Sequence, residues 1–255
     1  MTFELESTAP MLGTPVAMTR YDDAVQLILQ CAESADRPYL VAAADTHLIT
    51  LASRNRKYAS TLEKFDFIVP DGVPLIWYLN FFEKADLSDR VRGHKLMTRC
   101  LAASGNEQRH FFLGASDAVR EQLKEILNQR FPALTIVGGY SPPLSDWDDA
   151  EDAKISRAIR ESEAQLVWVG LGRPRQEEFL ARMKDRLPWG VYLAVGAAFP
   201  LISGAVPQAP KFLQKRGLEW AFRSGAEPCR LWRRDLVHNS LFVWDVLREV
   251  VRRRH

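Results

Sequence analysis

The chain of 255 residues has only three cysteines, Cys31, Cys100 and Cys229, and they lie far apart in sequence. An odd number at this spacing argues against a disulfide framework and against a cysteine-based metal site, and it indicates a reducing compartment. The five histidines also lack the spacing of metal ligands. These absences exclude a small disulfide-stapled domain and give no indication of a metal.

The sequence also lacks an uninterrupted apolar stretch long enough to span a membrane. Residues 189–210 carry no charge, but prolines and glycines such as Pro200, Gly196 and Gly204 interrupt them, and a span needs about 20 apolar residues in one helix. The opening residues MTFELESTAP contain acids where a secretory leader has basic residues. We expect a soluble protein in which residues 189–210 form a buried strand followed by a loop.

A dinucleotide-binding fingerprint is incomplete in the stretch GLGRPRQEEF, which follows an apolar run and precedes a helical pattern. It begins as G-x-G, but Arg175 stands where the third glycine is needed, which argues against a nicotinamide cofactor. We therefore expect no cofactor. Two interpretations of Gln176 and Glu177 stay open here: capping of the helix that follows Pro174, or binding of a sugar or diphosphate together with the amides of Gly170 and Gly172.

Short apolar runs alternate with segments of helical period along most of the chain. The helical pattern is clear at residues 118–130 and 150–160, and the runs that predict strands are 39–44, 65–69, 110–113, 134–137, 166–171 and 191–195. This alternation predicts an α/β fold, a Rossmann-like and mostly parallel sheet with helices on both faces. We assign residues 1–206 to this α/β domain.

The remaining residues, 207–255, are predicted to form a helical C-terminal appendage. The formal net charge of the chain is only +2, but residues 211–255 contain eleven Lys and Arg against five Asp and Glu. Such a basic segment indicates an anionic partner. Two interpretations stay open for Arg223, Arg230, Arg233 and Arg234: they form a solvated helix face, or their guanidinium groups bind phosphate. The aromatic residues here are spaced as in a helix core, so we expect no nucleic-acid partner.

An acidic residue, Asp71, stands where the apolar run in FDFIVPDGVPLIW ends. Pro-Asp-Gly is ordinary turn chemistry, in which the glycine takes a positive φ. The alternative is a ligand site, because ligands of parallel α/β sheets bind beyond the carboxyl ends of the strands. The segments expected at this edge with Asp71 are 45–47, Gly72, 114–116, 138–140, 170–177 and Gly196, which include Asp45, His47, Gly114, Gly138, Gly139, Gly170, Gly172 and Arg173.

A further acidic stretch, Asp146-Trp147-Asp148, has the Asp-x-Asp pattern that many metal-dependent glycosyltransferases use. It comes just before a helical pattern instead of at a strand end, and acidic residues are favoured at helix N-termini. We interpret it as a helix cap and predict no metal site there.

Six motifs in order resemble the WecG/TagA/CpsF family of bacterial glycosyltransferases, over about residues 11–240. They are PDGVPLIW, RVRGHKLM, FFLG, VWVGLGRPRQEEF, QAP and GLEWAFRSGAEPCRLWRR. The combination of PDG-x-P, SPP and EP-x-RLWRR resembles the exopolysaccharide branch of that family.

The resemblance implies an inverting, metal-independent transferase. Its donor would be a nucleoside-diphosphate sugar such as a UDP-sugar, and its acceptor a polyprenyl-diphosphate-linked saccharide at the cytoplasmic face of the inner membrane. The family's proposed general base maps to Asp71, its sugar-site glutamine to Gln176, and its diphosphate-closing arginines to Arg223, Arg230 and Arg233. Peripheral contact with the anionic membrane and a homo-oligomer are implied as well. The other residues assigned to the substrate site are Asp45, His47, Gly72, Arg90, Gly93, Gly114, Gly170, Gly172 and Glu177.

The chain departs from the family pattern at several polar positions. Ala43 replaces a threonine, Asp45 an asparagine, Lys95 an aspartate and Pro200 an aspartate. These changes leave the donor sugar open between a hexose and an N-acetylhexosamine. They also leave room for a second hypothesis, a catalytically silent sugar-nucleotide-binding subunit that scaffolds a membrane synthesis complex.

Overall fold

The computed structural model describes residues 7–34, 36–145, 147–207, 210 and 233–253, with the side chains of residues 237–251 described in the last segment. Predictions for Asp146, Arg223, Cys229 and Arg230, and for the side chains of Arg233 and Arg234, lie outside the described residues. Cys31 and Cys100 are free and buried, which agrees with the expectation of no disulfide between them.

A six-stranded, fully parallel sheet forms the centre of the molecule. Its spatial order is β4-β3-β8-β7-β5-β6. The strands are β3 (Pro38–Ala44), β4 (Phe67–Pro70), β5 (Arg109–Gly114), β6 (Thr135–Tyr140), β7 (Leu166–Gly170) and β8 (Gly190–Ala194). The six predicted strands are all present, because their near-continuous apolar runs suit a sheet that is covered on both faces.

Helices cover the two faces of the sheet and bury one apolar cluster on each. The first face carries α2 (Thr46–Arg54), α3 (Arg56–Leu62), α4 (Val73–Phe82), α7 (Asp149–Ser162) and α8 (Arg175–Met183). The second carries α1 (Tyr21–Ser34), α5 (Gly93–Ala103), α6 (Asp117–Arg130) and α9 (Ala198–Ile202). The predicted fold class is therefore confirmed.

An antiparallel hairpin precedes the parallel sheet, and the sequence analysis did not predict it. Its strands are β1 (Thr8–Met11) and β2 (Thr14–Ala17). Leu12 and Gly13 form the two-residue turn with φ values of 49° and 89°, and a two-residue hairpin turn favours such positive values. Met11 and Val16 are fully buried in the cluster on the first face.

Two sequence predictions about loops are wrong. Gly138 and Gly139 lie inside β6 instead of beyond its end. Gly138 is needed there because a Cβ atom would come within 3.1 Å of the Phe111 ring. After β8, residues 198–202 form the short helix α9 where we expected only a loop, and Pro200 lies within that helix.

A long helix, α10 (Arg233–Arg253), forms the described part of the predicted C-terminal appendage. It packs against α2, where Phe242 is buried and the Arg54 guanidinium forms a 2.7 Å ion pair with Asp245. The division of the chain at residue 207 stays a prediction. Among the described residues, no helix is long and apolar enough to cross a membrane.

Candidate active site

A cleft of about 550 Å³ opens at the carboxyl edge of the parallel sheet. Loops that follow five of the six strands line it, as the sheet-edge rule for α/β proteins predicts. The lining residues include Ala43, Asp45, Thr46, His47, Asp71, Gly72, Arg90, Ser116, Gly170, Gly172, Arg173, Gln176, Gly196, Pro200, His238 and Asn239.

Asp71 is the first residue beyond β4, at the end of the sheet, and its side chain is half-buried in the cleft. Its position is fixed through the backbone, because its N–H donates to the Ala44 carbonyl at 2.7 Å. The Oδ2 atom accepts a 3.2 Å hydrogen bond from the N–H of Gly93. A carboxylate held this way just before α4 is also favoured by the partial positive charge at the helix N-terminus.

Gly72 does not behave as the turn interpretation of Pro-Asp-Gly requires. Its φ is −85°, and it is the N-cap of α4. The residue is small because of crowding, since a Cβ atom would lie 3.3 Å from the Leu75 side chain and 3.4 Å from the Cα of Asp45. The glycine therefore allows the loops after β3 and β4 to approach each other, which brings Asp45 and Asp71 to one cleft.

The segment from Arg90 to Gly93 closes the cleft beside Asp71. Its backbone is tied to the strand end, because the N–H of Val91 donates to the Pro70 carbonyl at 2.7 Å. Pro70 fits here because β4 is an edge strand. Arg90 lines the cleft and is only 8% exposed, so it supplies a buried positive charge to the same cleft as Asp71.

Gln176 and Glu177 lie in the first turn of α8, and both are fully buried. The Nε2 atom of Gln176 donates to Oε1 of Glu177 at 2.9 Å, while its Oε1 has no partner among the described residues. Pro174, the N-cap, makes no side-chain capping bond. Gln176 lines the cleft and Glu177 lies behind it, and the binding role of the two residues stays a prediction.

Asp45 and Arg173 form an ion pair across the cleft floor. The sequence analysis placed Arg173 at this edge of the sheet but gave it no role in the site. Asp45 is also the N-cap of α2, where its Oδ1 accepts from the N–H of Leu48 at 2.9 Å. Arg173 donates further to the Ala43 carbonyl at 2.8 Å and to Glu177 at 3.1 Å. Ala43 and Asp45 precede Arg173 by 130 and 128 residues, so no local sequence signal could have revealed these contacts.

Close backbone packing shapes the other end of the cleft. Gly114 has a φ of +112°, and a Cβ atom there would lie 2.6 Å from the Gly170 carbonyl oxygen. Only glycine fits this approach. Gly114 does not line the cleft itself, but Ala115 and Ser116 after it do, and Ser116 is the N-cap of α6.

The helix α10 supplies one wall of the cleft through His238 and Asn239. The His238 ring lies 4.1 Å from the His47 ring, and its Nδ1 atom is 2.7 Å from the Thr50 hydroxyl. Sequence reasoning named His47 but missed both residues of α10. They fall in an amphipathic pattern that resembles ordinary helix packing.

Most of the predicted substrate-site residues thus meet in one cleft. Gly93 does not line the cleft but donates a hydrogen bond to Asp71. Gly114 and Glu177 lie behind the lining residues, where they contact Gly170 and Gln176. The predicted Asp-x-Asp cap is confirmed for Asp148, which caps α7 by accepting from the N–H of Glu151 at 3.1 Å. Among the described residues, no group of three His, Cys, Asp or Glu side chains is arranged to hold a metal ion.

Comparison with known proteins identifies the family. The model of the glycosyl transferase WecG/TagA/CpsF family matches residues 9–255. The chain belongs to this family. The protein is therefore a glycosyltransferase, and both the family and the enzyme class predicted from the sequence are confirmed.

Two relatives of this glycosyltransferase carry the same name, N-acetylglucosaminyldiphosphoundecaprenol N-acetyl-beta-D-mannosaminyltransferase. The protein from Bacillus spizizenii is 33% identical over 186 residues, which cover 72% of this chain and 70% of the relative. A Staphylococcus aureus protein is 26% identical over 194 residues, covering 76% of this chain and 74% of the relative.

Proposed function

We propose that this glycosyltransferase moves a hexose or N-acetylhexosamine from a nucleoside-diphosphate donor, a UDP-sugar, to a saccharide carried on polyprenyl diphosphate. The names of the two relatives support this acceptor class, because both describe transfer to a sugar joined through diphosphate to undecaprenol. The reaction belongs to exopolysaccharide or related envelope glycan synthesis, and the configuration at the donor's anomeric carbon is inverted.

Asp71 acts as the general base in this proposal. Its carboxylate takes the proton of the acceptor hydroxyl while that oxygen forms the new bond to the anomeric carbon. The bond from the anomeric carbon to the diphosphate oxygen breaks on the opposite face, and the nucleoside diphosphate leaves with the electron pair. One carboxylate is enough for this displacement, since inversion needs no covalent sugar intermediate.

Positive side chains would stabilise the departing diphosphate. Arg90 supports this role because it is buried and lines the same cleft as Asp71. We assign the same role to Arg223, Arg230 and Arg233 on the strength of the family motif. The cleft length also supports a nucleotide sugar. The strand ends from β4 to β5 span four strand spacings, roughly 19 Å, which accommodates a nucleoside, a diphosphate and one sugar.

The observation that carries the proposal is the half-buried carboxylate of Asp71, oriented by the Gly93 N–H in a cleft that also contains Arg90. The test incubates the purified protein with a panel of nucleotide sugars and a short polyprenyl-diphosphate-linked saccharide. We expect one donor to release its nucleoside diphosphate only when the acceptor is present. A donor that binds without turnover would instead support the silent scaffolding subunit, and binding of none would refute both.

We further propose that α10 contacts the anionic surface of the membrane that holds the acceptor, on the cytoplasmic side. Support comes from a row of exposed apolar side chains on one face of this helix, including Val243, Trp244, Leu247 and Val251. The Arg248 guanidinium lies 4.9 Å from the centre of the Trp244 ring, a combination typical of interfacial helices. The homo-oligomer stays a prediction.

A further inference from the structure

Arg173 holds a guanidinium group in the floor of the cleft, where it contacts Asp45 in the loop after β3. Its side chain is 12% exposed, and three of its five N–H groups donate to protein oxygens. The chain reaches Arg173 after β7, yet the guanidinium passes across the end of β8 to contact Ala43, near the end of β3, and Asp45, just beyond it. Its position is therefore fixed from three directions.

The charges around Arg173 argue against binding of a phosphate at this point. Asp45 and the fully buried Glu177 both pair with the guanidinium. Burial by itself lowers the pKa of Arg173, but these two carboxylates outweigh it and hold that pKa above its usual value. Burial raises the pKa of Glu177. Whether Glu177 is neutral or ionised, Asp45, Arg173 and Glu177 together carry no net positive charge, so these three groups by themselves do not attract a diphosphate.

Asp45 instead presents a hydrogen-bond acceptor to the cleft. The side chain lines the cleft and is 44% exposed, although the Leu48 N–H and Arg173 fix its orientation. The guanidinium beside it still has two N–H groups beyond its three protein bonds. A fixed acceptor next to a fixed donor matches two adjacent hydroxyl groups, one of which donates while the other accepts.

The order of the strands indicates which part of the substrate Asp45 and Arg173 contact. β3, which carries Asp45, is the direct neighbour of β4, which carries Asp71. The pair is therefore beside the proposed general base, where the transferred sugar must lie. We propose that Asp45 and Arg173 together bind two adjacent hydroxyl groups of the donor sugar and restrict the donor to uncharged sugars. This inference rests on the proposed function. A sugar carboxylate in this position would face Asp45 and be repelled.

The test first finds the preferred donor among nucleoside-diphosphate hexoses and N-acetylhexosamines, then compares it with its single deoxy analogues and with its uronate. Binding is measured by calorimetry, and kcat and KM are measured separately. For the wild-type protein we expect the deoxy analogues that lack either of two adjacent hydroxyl groups to have a kcat/KM about 10- to 100-fold lower than that of the parent donor. We expect the uronate to bind at least about 10-fold more weakly than the parent sugar.

Two variants identify the groups responsible. Asp45→Asn keeps an N-cap for α2, and Arg173→Lys keeps a positive charge, so both should fold. In each variant, the ratio of kcat/KM between the parent donor and one of the two deoxy analogues should fall to less than about 3-fold. Asp45→Asn should also reduce the difference in affinity between the parent sugar and the uronate. Glu178→Gln is the matched control, because Glu178 is an exposed carboxylate in the same turn of α8 and should change none of these ratios.

Penalties that stay unchanged in both variants, or a uronate that binds as well as the parent sugar, would overturn the inference and leave the proposed transfer reaction standing. Failure of every sugar nucleotide to bind would refute the transfer proposal as well. The two failures are thus distinguishable.

Discussion

The Thr46 hydroxyl donates a 2.6 Å hydrogen bond to Oδ1 of Asn239, and this bond joins the first turn of α2 to α10. Both residues line the cleft, so the docking of α10 and the shape of the substrate site depend on the same contact. Thr46 is buried, and loss of its partner would leave a polar group unsatisfied.

Asn239→Ala should therefore lower the free energy of unfolding by about 1 kcal/mol and raise the donor KM about 3- to 10-fold. Hydrogen exchange should become faster in α10 before it does in the sheet. Ser240→Ala is the control, because Ser240 is exposed and next in sequence. An unchanged donor KM in Asn239→Ala would show that the docking of α10 does not affect substrate binding.

Asp71→Asn should lower kcat by about 100- to 10,000-fold, because an amide cannot take the proton of the acceptor hydroxyl. Donor affinity and melting temperature should change little, since the amide oxygen can still accept from the Gly93 N–H. Steady-state kinetics and calorimetry measure the two effects. The exposed Asp23 on α1 offers the control variant Asp23→Asn. Turnover in Asp71→Asn near the wild-type rate would exclude Asp71 as the base.

Gly114→Ala should destabilise the fold by about 2 kcal/mol, because the position has a φ of +112° and a Cβ atom would clash with the Gly170 carbonyl oxygen. Donor binding should weaken with it, since the loops after β5 and β7 would be pushed apart. Gly105→Ala is the matched control, because the nearest atom to its Cβ would lie 3.9 Å away. Equal urea midpoints for the two variants would contradict this account.

His110 should make the stability depend on pH. The residue is fully buried, its Nδ1 atom accepts from the Trp168 indole N–H at 3.2 Å, and burial lowers its pKa from 6.5 to about 4. Because the unfolded chain binds the proton more tightly, this contribution is complete above pH 6.5 and is lost as pH falls from about 6.5 to about 4. The loss amounts to about 3 kcal/mol.

Denaturant unfolding of wild type and His110→Gln between pH 8 and pH 4 measures this contribution. Carboxylates titrate in both proteins, so the difference between the two curves isolates the imidazole. We expect that difference to change steadily below pH 6.5. A difference that is constant with pH would mean that His110 titrates normally in the folded state.

Membrane contact should depend on the exposed face of α10. The double variant Trp244→Ser with Leu247→Ser should bind vesicles containing phosphatidylglycerol at least about 10-fold more weakly than wild type. Both side chains are more than half exposed, so the fold should tolerate the change. Leu144→Ser is the control, because Leu144 is a single leucine that is 94% exposed. Equal vesicle sedimentation of the double variant and wild type would refute this role.

The apolar runs predicted the parallel sheet because a strand that is buried on both faces has a nearly continuous apolar sequence, as in Leu166–Gly170. The same edge rule brought Asp71, Asp45 and Gln176 to one site. Gly138 and Gly139 misled the prediction because a glycine inside a strand looks the same in sequence as one in a turn. Gly138 makes room for the Phe111 ring, and Gly139 for the Arg120 side chain and the Phe112 carbonyl oxygen. The edge rule also placed Arg173 at the same edge of the sheet, but its ion pair with Asp45 could not be predicted, since the two residues are 128 positions apart in sequence.

The pairing of β3 with β8 has a consequence for how the chain assembles. In this pair Leu40 lies opposite Tyr192, and the intervening chain forms one very large loop. Closing such a loop has a high entropic cost and slows folding. Asp45 and Asp71 lie on the β3 side of this strand pair, while Gly196 and Arg173 lie on the β8 side. A partly folded chain in which β3 and β8 have not yet paired therefore has two half-sites and no complete cleft.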